Sequence, residues 1–376
     1  MNTPWYQTGQ LQDLLTPAIL LSPARIRENI RRMVQIAASP ERLRPHVKTY
    51  KLPQIIQLQL EAGISSFKCA TLAEAKMVAE AGGKDILIAY PLVGPALDIF
   101  VELVKAFPNV RFSLTADHLD IGKVLVEKTQ EVTGQIAVFV DIDNGMHRTG
   151  TPPGKDALEL CRFLHLSPEL HFKGLHIYDG HLHQASFQKR KEACQQAFQP
   201  VQDLMEQLDK EKIPLEEVVC GGTPTFPIHA EDPSRKLSPG TPLLWDWGYA
   251  NSFPDLDFQI AAVLLTRVVS KPAPHLLCLD IGYKALAAEM PHPRIYFPGL
   301  ENVQFLNHSE EHMVISVENA QEISVNQVIP GYPIHICPTM ALHEEVYVME
   351  NSQVVGKWQV KARNRLYSQI NKMNKQ

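Results

Sequence analysis

From about residue 43 to residue 247, apolar runs of four to eight residues alternate with longer stretches of helical period. Strands are predicted at RPHVK (44–48), FKCAT (67–71), ILIAYP (86–91), VRFSLTA (110–116), IAVFVDID (136–143), GLHIYD (174–179), EVVCGG (217–222) and LSPGTPLLW (237–245). Most of the intervals read as helices. In TLAEAKMVAEAGG, Thr71 takes the N-cap position, Glu74 follows three residues on, and a glycine pair stops the helix. Alternating strand and helix implies a parallel sheet, and eight such strands imply a (β/α)8 TIM-type barrel rather than an open doubly wound sheet.

After Trp247 the pattern changes to period two, in FQIAAVLLTRVVS, HLLCLDIG, HMVISV, EEVYVM and VVGKWQV, separated by Pro, Asn and Gly. That predicts an antiparallel β domain. TPAILLS (16–22) reads as a strand with no barrel partner and is expected to pair with this second domain. The expected organisation is therefore a barrel over 23–247 and a β domain built from 1–22 and 248–376. The Lys- and Asn-rich tail after Arg365 is expected to fray.

Composition narrows the function classes. A net charge of -5 over 376 residues offers no basic footprint for nucleic acid and no polybasic membrane patch. The N-terminus lacks a charged segment followed by an apolar one, and no apolar run reaches the roughly 18 residues of a membrane span. The six cysteines are scattered with no CxxC pair, as expected of buried thiols in a reducing cytoplasm.

In a barrel, chemistry gathers at the C-terminal ends of the strands. There the sequence places Lys48, Tyr90, Arg148, Tyr178, Gly221-Gly222-Thr223 and the SPGT stretch with Gly240 and Thr241. A lysine at a strand end ordinarily points into water, and a glycine pair is ordinarily a turn. A lysine and a phosphate-type loop on one rim, with backbone N–H groups expected free at the glycines, instead imply a phosphorylated aldehyde bound as an imine: pyridoxal phosphate (PLP).

RPHVKTYK, CATLAEA, ILIAYPLVG, GMHRTG, YDGH, GGTPT, PGT, DIGYKAL, SEEH and HICPTMALHEEVYV resemble, in this order, the D-threonine aldolase and D-serine dehydratase family. These are fold-type III PLP enzymes with an alanine racemase-like barrel and a metal-bearing β domain. The resemblance spans about residues 16 to 363. It implies that Lys48 holds the cofactor covalently, that Arg148 lies near its phenolic oxygen and that Tyr178 faces its ring nitrogen. Gly222 and Thr223, with Gly240 and Thr241, would hold the phosphate. His335 and Cys337 would bind a divalent metal, and the thiolate favours Zn²⁺ over Mg²⁺. Alone, an HxC triplet is ordinarily a buried thiol beside a solvated histidine. On a strand, its two side chains would share one side. The resemblance also implies a homodimer.

The activity implied is that of a lyase on a D-3-hydroxy amino acid. Freed Lys48 takes the α-proton, and the metal acts as Lewis acid on the β-hydroxyl. Cys337 favours elimination of water, because the aldolase branch often carries HxD; cleavage to glycine and an aldehyde uses the same residues. Alternatives are an amino-acid racemase, with Tyr283 as its second acid/base, and a non-catalytic PLP-binding protein. Neither has use for His335 and Cys337. The chain departs from the family at Tyr50, where THK is usual, and at Tyr283; Tyr50 is expected in the barrel wall. His181 and His183 have metal-like spacing but read as an exposed loop. His312 reads as either a turn residue or a support to the metal, and His46 as a core residue.

Overall fold

In the computed structural model, which describes residues 4–365 except 131 and 133, seven parallel strands stand side by side in one unit, Arg31–Lys48 with Pro53–Gly240. Their order is Ser66–Cys69, Asp85–Ile88, Arg111–Ala116, Ile136–Ile142, Leu170–Ile177, Glu217–Cys220 and Arg235–Leu237. Residues 43–46 fill the eighth place through two parallel bridges, Leu43 to Leu237 and His46 to Lys68. Arg44 N–H donates to Leu237 O at 2.8 Å and Lys68 N–H to Pro45 O at 2.9 Å, so the sheet closes on itself.

Two predicted strands form only in part: 44–48 holds a bridge at His46, and 237–245 meets the observed strand Arg235–Leu237 at Leu237 alone; prolines stand in both. Pro45 offers no N–H to a ladder, and the chain turns into a 3-10 helix, Val47–Thr49, before Lys48 can extend a strand. The last strand stops at Leu237; Pro239 and Pro242 prevent its continuation, and Thr241–Leu243 forms another 3-10 helix.

The helices follow the sequence signals. Thr71 accepts Glu74 N–H at 3.1 Å, and the Glu74 carboxylate reaches back to Ala70 N–H at 2.6 Å. Inside the barrel Leu87, Phe139 and Val219 form an apolar layer. Lys68 pairs in register with Leu87, and His176 with both Asp141 and Val219, so these three polar residues share the inward face. At the opposite strand ends, buried Arg44 pairs with Asp85 at 2.6 Å and Glu217 at 2.9 Å.

The second unit comprises the N-terminal segment through Ile30, Thr49–Leu52 and Thr241–Arg363. Its sheet runs Gln304–His308, Met313–Ser316, Leu276–Leu279, Ala262–Ser270, Ala18–Leu21, Glu345–Glu350, Gln353–Gln359. Ala18–Leu21 pairs antiparallel with Ala262–Ser270, as expected of TPAILLS, and parallel with Glu345–Glu350. The domain is therefore mixed at that one junction. Val328–Pro333, which is not among the period-two runs, also pairs with Ala262–Ser270. Among the described residues no helix is long and apolar enough to cross a membrane. The tail expected to fray lies outside the described residues.

Candidate active site

Lys48 is the middle residue of the 3-10 helix that follows the bridge at His46, and its N–H donates to His46 Nδ1 at 3.3 Å. Its half-buried side chain lines a pocket with Lys68, Asp141, Arg148, His176 and Tyr178. The Tyr178 ring stands at the centre of three cations. Arg148 Cζ lies 5.1 Å from the ring centroid, Lys68 Nζ 5.6 Å and Lys48 Nζ 5.8 Å. Arg148 is carried by the DNGMHRTG loop, which Asp143 pins by accepting Gly145 N–H at 3.0 Å and His147 N–H at 2.9 Å. Gly150 closes that loop with φ +99°, and a Cβ there would meet Asp143 N at 2.6 Å.

Lys68 was not among the residues singled out from sequence. Its Nζ lies 3.4 Å from His176 Nε2, and His176 Nδ1 lies 2.6 Å from Asp141 Oδ1. Burial, then the charge of Lys48, pulls the Lys68 ammonium down to about 7, against the raising influence of Asp141 and Asp179. Burial likewise holds His176 below its ordinary value although Asp141 pulls it up. A neutral His176 donates from Nδ1 to Asp141 and accepts from Lys68 at Nε2. The sequence signal was a lysine flanked by Phe67 and Cys69 in a short apolar strand.

The GGTPT loop differs from expectation in one respect. Its glycine N–H groups are already bonded: Gly221 donates to Ile177 O at 3.0 Å, and Gly222 to Asp179 Oδ1 at 3.0 Å. Gly221 is needed for its φ of +83°, and Gly222 lets the chain pass the Tyr178 ring. The Thr223 N–H and hydroxyl and the Gly240 N–H meet no partner among the described residues. Ser238 Oγ is buried and unpartnered, while the Ser238 N–H donates to Cys220 O at 3.1 Å. These donors suit a phosphate.

Beneath the loop, Asp179, Cys194 and His229 place three metal-type ligand atoms within 4.8 Å of one another. Their hydrogen bonds describe a buttress instead. Arg235 donates to His229 Nδ1 at 2.9 Å, so the ring proton sits on Nε2 and goes to Asp179 Oδ2 at 2.8 Å. Asp179 Oδ1 accepts Gly222 N–H and, at 2.6 Å, the Thr225 hydroxyl. Burial, then Asp179, pushes the Cys194 thiol up to about 12. Neither a histidine lone pair nor a thiolate is available there, and Arg235 adds a positive charge.

His335 and Cys337 do not lie on a strand. His335 is the N-cap of the helix Ile336–Leu342, and Cys337 is in its first turn. Pro338 suits that turn, where its missing N–H is not needed. Asp246 accepts Ile336 N–H at 3.0 Å and Tyr249 N–H at 2.9 Å, so one buried carboxylate starts two helices. Burial pushes that carboxyl up to about 6 against those bonds. The two predicted ligands still meet: His335 is hydrogen-bonded to Cys337, and its Nδ1 lies 2.6 Å from Glu289 Oε1. Cys337 Sγ has Thr49 Oγ1 at 3.2 Å and Thr241 Oγ1 at 3.6 Å. Burial draws the His335 pKa down, but Cys337, Asp246 and Glu289 together carry it up to about 9. A histidine and a thiol joined by a hydrogen bond, with a carboxylate behind the ring, form a donor set fit for a divalent cation.

Tyr50 is fully buried. Tyr283 is 43% exposed and edge-on to His308. His312 is exposed in a turn where its carbonyl accepts Ser309 N–H. His181 packs against Gly145 while His183 is exposed, and no three-ligand group among the described residues includes either.

A closed parallel barrel with a pocket lysine beside its first bridged segment, joined in sequence to a mixed β domain, is the alanine racemase-like class. Residues 21–244 match the family model for the alanine racemase N-terminal domain, and residues 261–349 match a serine dehydratase domain model. The chain belongs to the D-threonine aldolase and D-serine dehydratase family of fold-type III PLP enzymes. It is 30% identical to D-threonine aldolase of Arthrobacter sp over 93% of this chain and 92% of that one. It is 27% identical to 3-hydroxy-D-aspartate aldolase of Paracoccus denitrificans (strain Pd 1222) over 94% of each. The crystal structure of D-threonine aldolase from Filomicrobium marinum superposes with a TM-score of 0.86 at 26% identity, over 95% of this chain and 97% of that one.

Proposed function

We propose that this chain is a PLP- and divalent-metal-dependent lyase acting on a D-3-hydroxy amino acid. The observation that carries the reading is the His335 and Cys337 pair with the Glu289 carboxylate behind it. Neither a racemase nor a passive cofactor carrier needs that donor set. Lys48 would hold the cofactor's aldehyde, Arg148 its phenolic oxygen and Tyr178 its ring nitrogen. Thr223, Gly240 and Ser238 would hold the phosphate, in the loop shaped by Gly222. His335 and Cys337 would hold Zn²⁺, with Thr49 and Thr241 supporting the sulfur. When bound, the cofactor supplies the electron sink that acidifies Cα, and the metal supplies a Lewis acid for the β-hydroxyl.

With substrate bound, the amine of Lys48 would accept the α-proton. Tyr178 would face the ring nitrogen in place of a carboxylate, so help at the β-carbon would carry weight in the reaction. Cys337 favours elimination of water, giving a 2-oxo acid and ammonia after hydrolysis. The names of the two relatives above favour the second reading, cleavage to glycine and an aldehyde. Product analysis on zinc-loaded protein given D-threonine and D-serine separately tests both. Ammonia with 2-oxobutyrate or pyruvate supports elimination, and glycine with acetaldehyde from D-threonine supports cleavage. Appearance of either L-enantiomer as the product overturns the lyase reading.

A further inference from the structure

Lys48 accounts for covalent capture of an aldehyde, yet a second lysine lines the same pocket. Lys68 is 2% exposed, and its strand register turns it into the barrel beside Leu87. A buried ammonium is costly unless it is paired and hydrogen-bonded. Here the pairing is built: Lys68 meets His176 Nε2, His176 meets Asp141 Oδ1, and the Thr149 hydroxyl donates to Asp141 Oδ2 at 3.0 Å. Asp141 is 6% and His176 5% exposed, so water screens little of this line.

We propose that Lys68 is a charge-setting residue of the cofactor pocket: held by His176 and Asp141, it fixes a positive charge beside the group that Lys48 carries. The inference rests on the reading that Lys48 carries an aldehyde cofactor. Charged and titratable groups face Lys68 from three segments. His46 and Lys48 come from the closing segment, Asp141 and Arg148 from the strand Ile136–Ile142 and its loop, and His176, Tyr178 and Asp179 from Leu170–Ile177 and its turn. Burial is the first influence that lowers the Lys68 ammonium and the charge of Lys48 the second; capture of an aldehyde by Lys48 removes the second while the bound group is unprotonated. Arg148 is exposed and better screened, so the buried amine governs the local potential.

The test uses holoenzyme with added pyridoxal phosphate. Borohydride reduction and peptide mapping locate the labelled lysine, and absorbance of unreduced protein is titrated across neutral and alkaline pH. A nearby positive charge opposes protonation of the bound group, so its removal raises the titration midpoint. Lys68→Met should keep the label on Lys48 and move the midpoint up by about one pH unit. Lys68→Gln, which keeps an N–H for His176, should move it the same way and serves where the methionine variant fails to fold. Label on Lys48 with coincident midpoints overturns this inference alone. A wild-type label absent from Lys48 overturns the cofactor reading and this inference together.

Discussion

Glu289 Oε1 lies 2.6 Å from Nδ1 of His335, so that N–H donates to the carboxylate, and a metal would take Nε2 in place of the proton the ring holds there. The two residues are 46 positions apart in the chain. A carboxylate behind a ligating histidine sets the ring's orientation and raises its basicity. Glu289→Gln should therefore weaken zinc binding by about 10- to 100-fold, read by competition with a chromophoric chelator. Unchanged affinity would show that Glu289 does not orient the ligand.

Cys337→Ala would remove the soft member of the proposed donor pair. Metal content after dialysis should fall to near zero while cofactor absorbance is retained. A variant that loses both together would tie the metal to the integrity of the fold instead.

The Asp179 and His229 pair is fully buried at 2.8 Å and holds Gly222 in place. An amide at that position takes the charged acceptor from His229, Gly222 and Thr225 at once. Asp179→Asn should lower stability by about 3 kcal/mol in urea unfolding and shorten cofactor retention on dialysis. Equal stability in the variant would mean that the loop stands without its buttress.

Lys68 also makes a prediction for the apoprotein. Its folded-state pKa is depressed from 10.5 to about 7. Below the folded value the amine is charged in both states and adds no slope. Between the folded and unfolded values the unfolded chain binds a proton that the folded one has released, so stability rises with pH. The rise approaches about 1.4 kcal/mol per pH unit from this group. Urea midpoints at neutral and mildly alkaline pH should separate wild type from Lys68→Met in that sense; parallel curves would count against a depressed amine.

The barrel was legible because its strands are short apolar runs between strong helix signals, as at Thr71 and Glu74. Where proline interrupts a strand, at Pro45 and Pro239, the pattern overstates the ladder; in VIPGYP it understates it, because Pro and Gly there still pair with Ala262–Ser270. Lys48 and the HxC triplet stand out through family motifs. Glu289, Asp246 and Ser238 do not, since each acts on residues that only folding brings near. Lys68 carried a local signal, a cation in an apolar strand, but its partners come from two other strands.

Turnover of the holoenzyme before and after chelation tests the central claim most directly. With a D-3-hydroxy amino acid as substrate, EDTA should abolish product formation while cofactor absorbance remains, and added Zn²⁺ should restore it. Full turnover in metal-stripped protein that still holds its cofactor would contradict a metal-assisted lyase and return the racemase reading to first place.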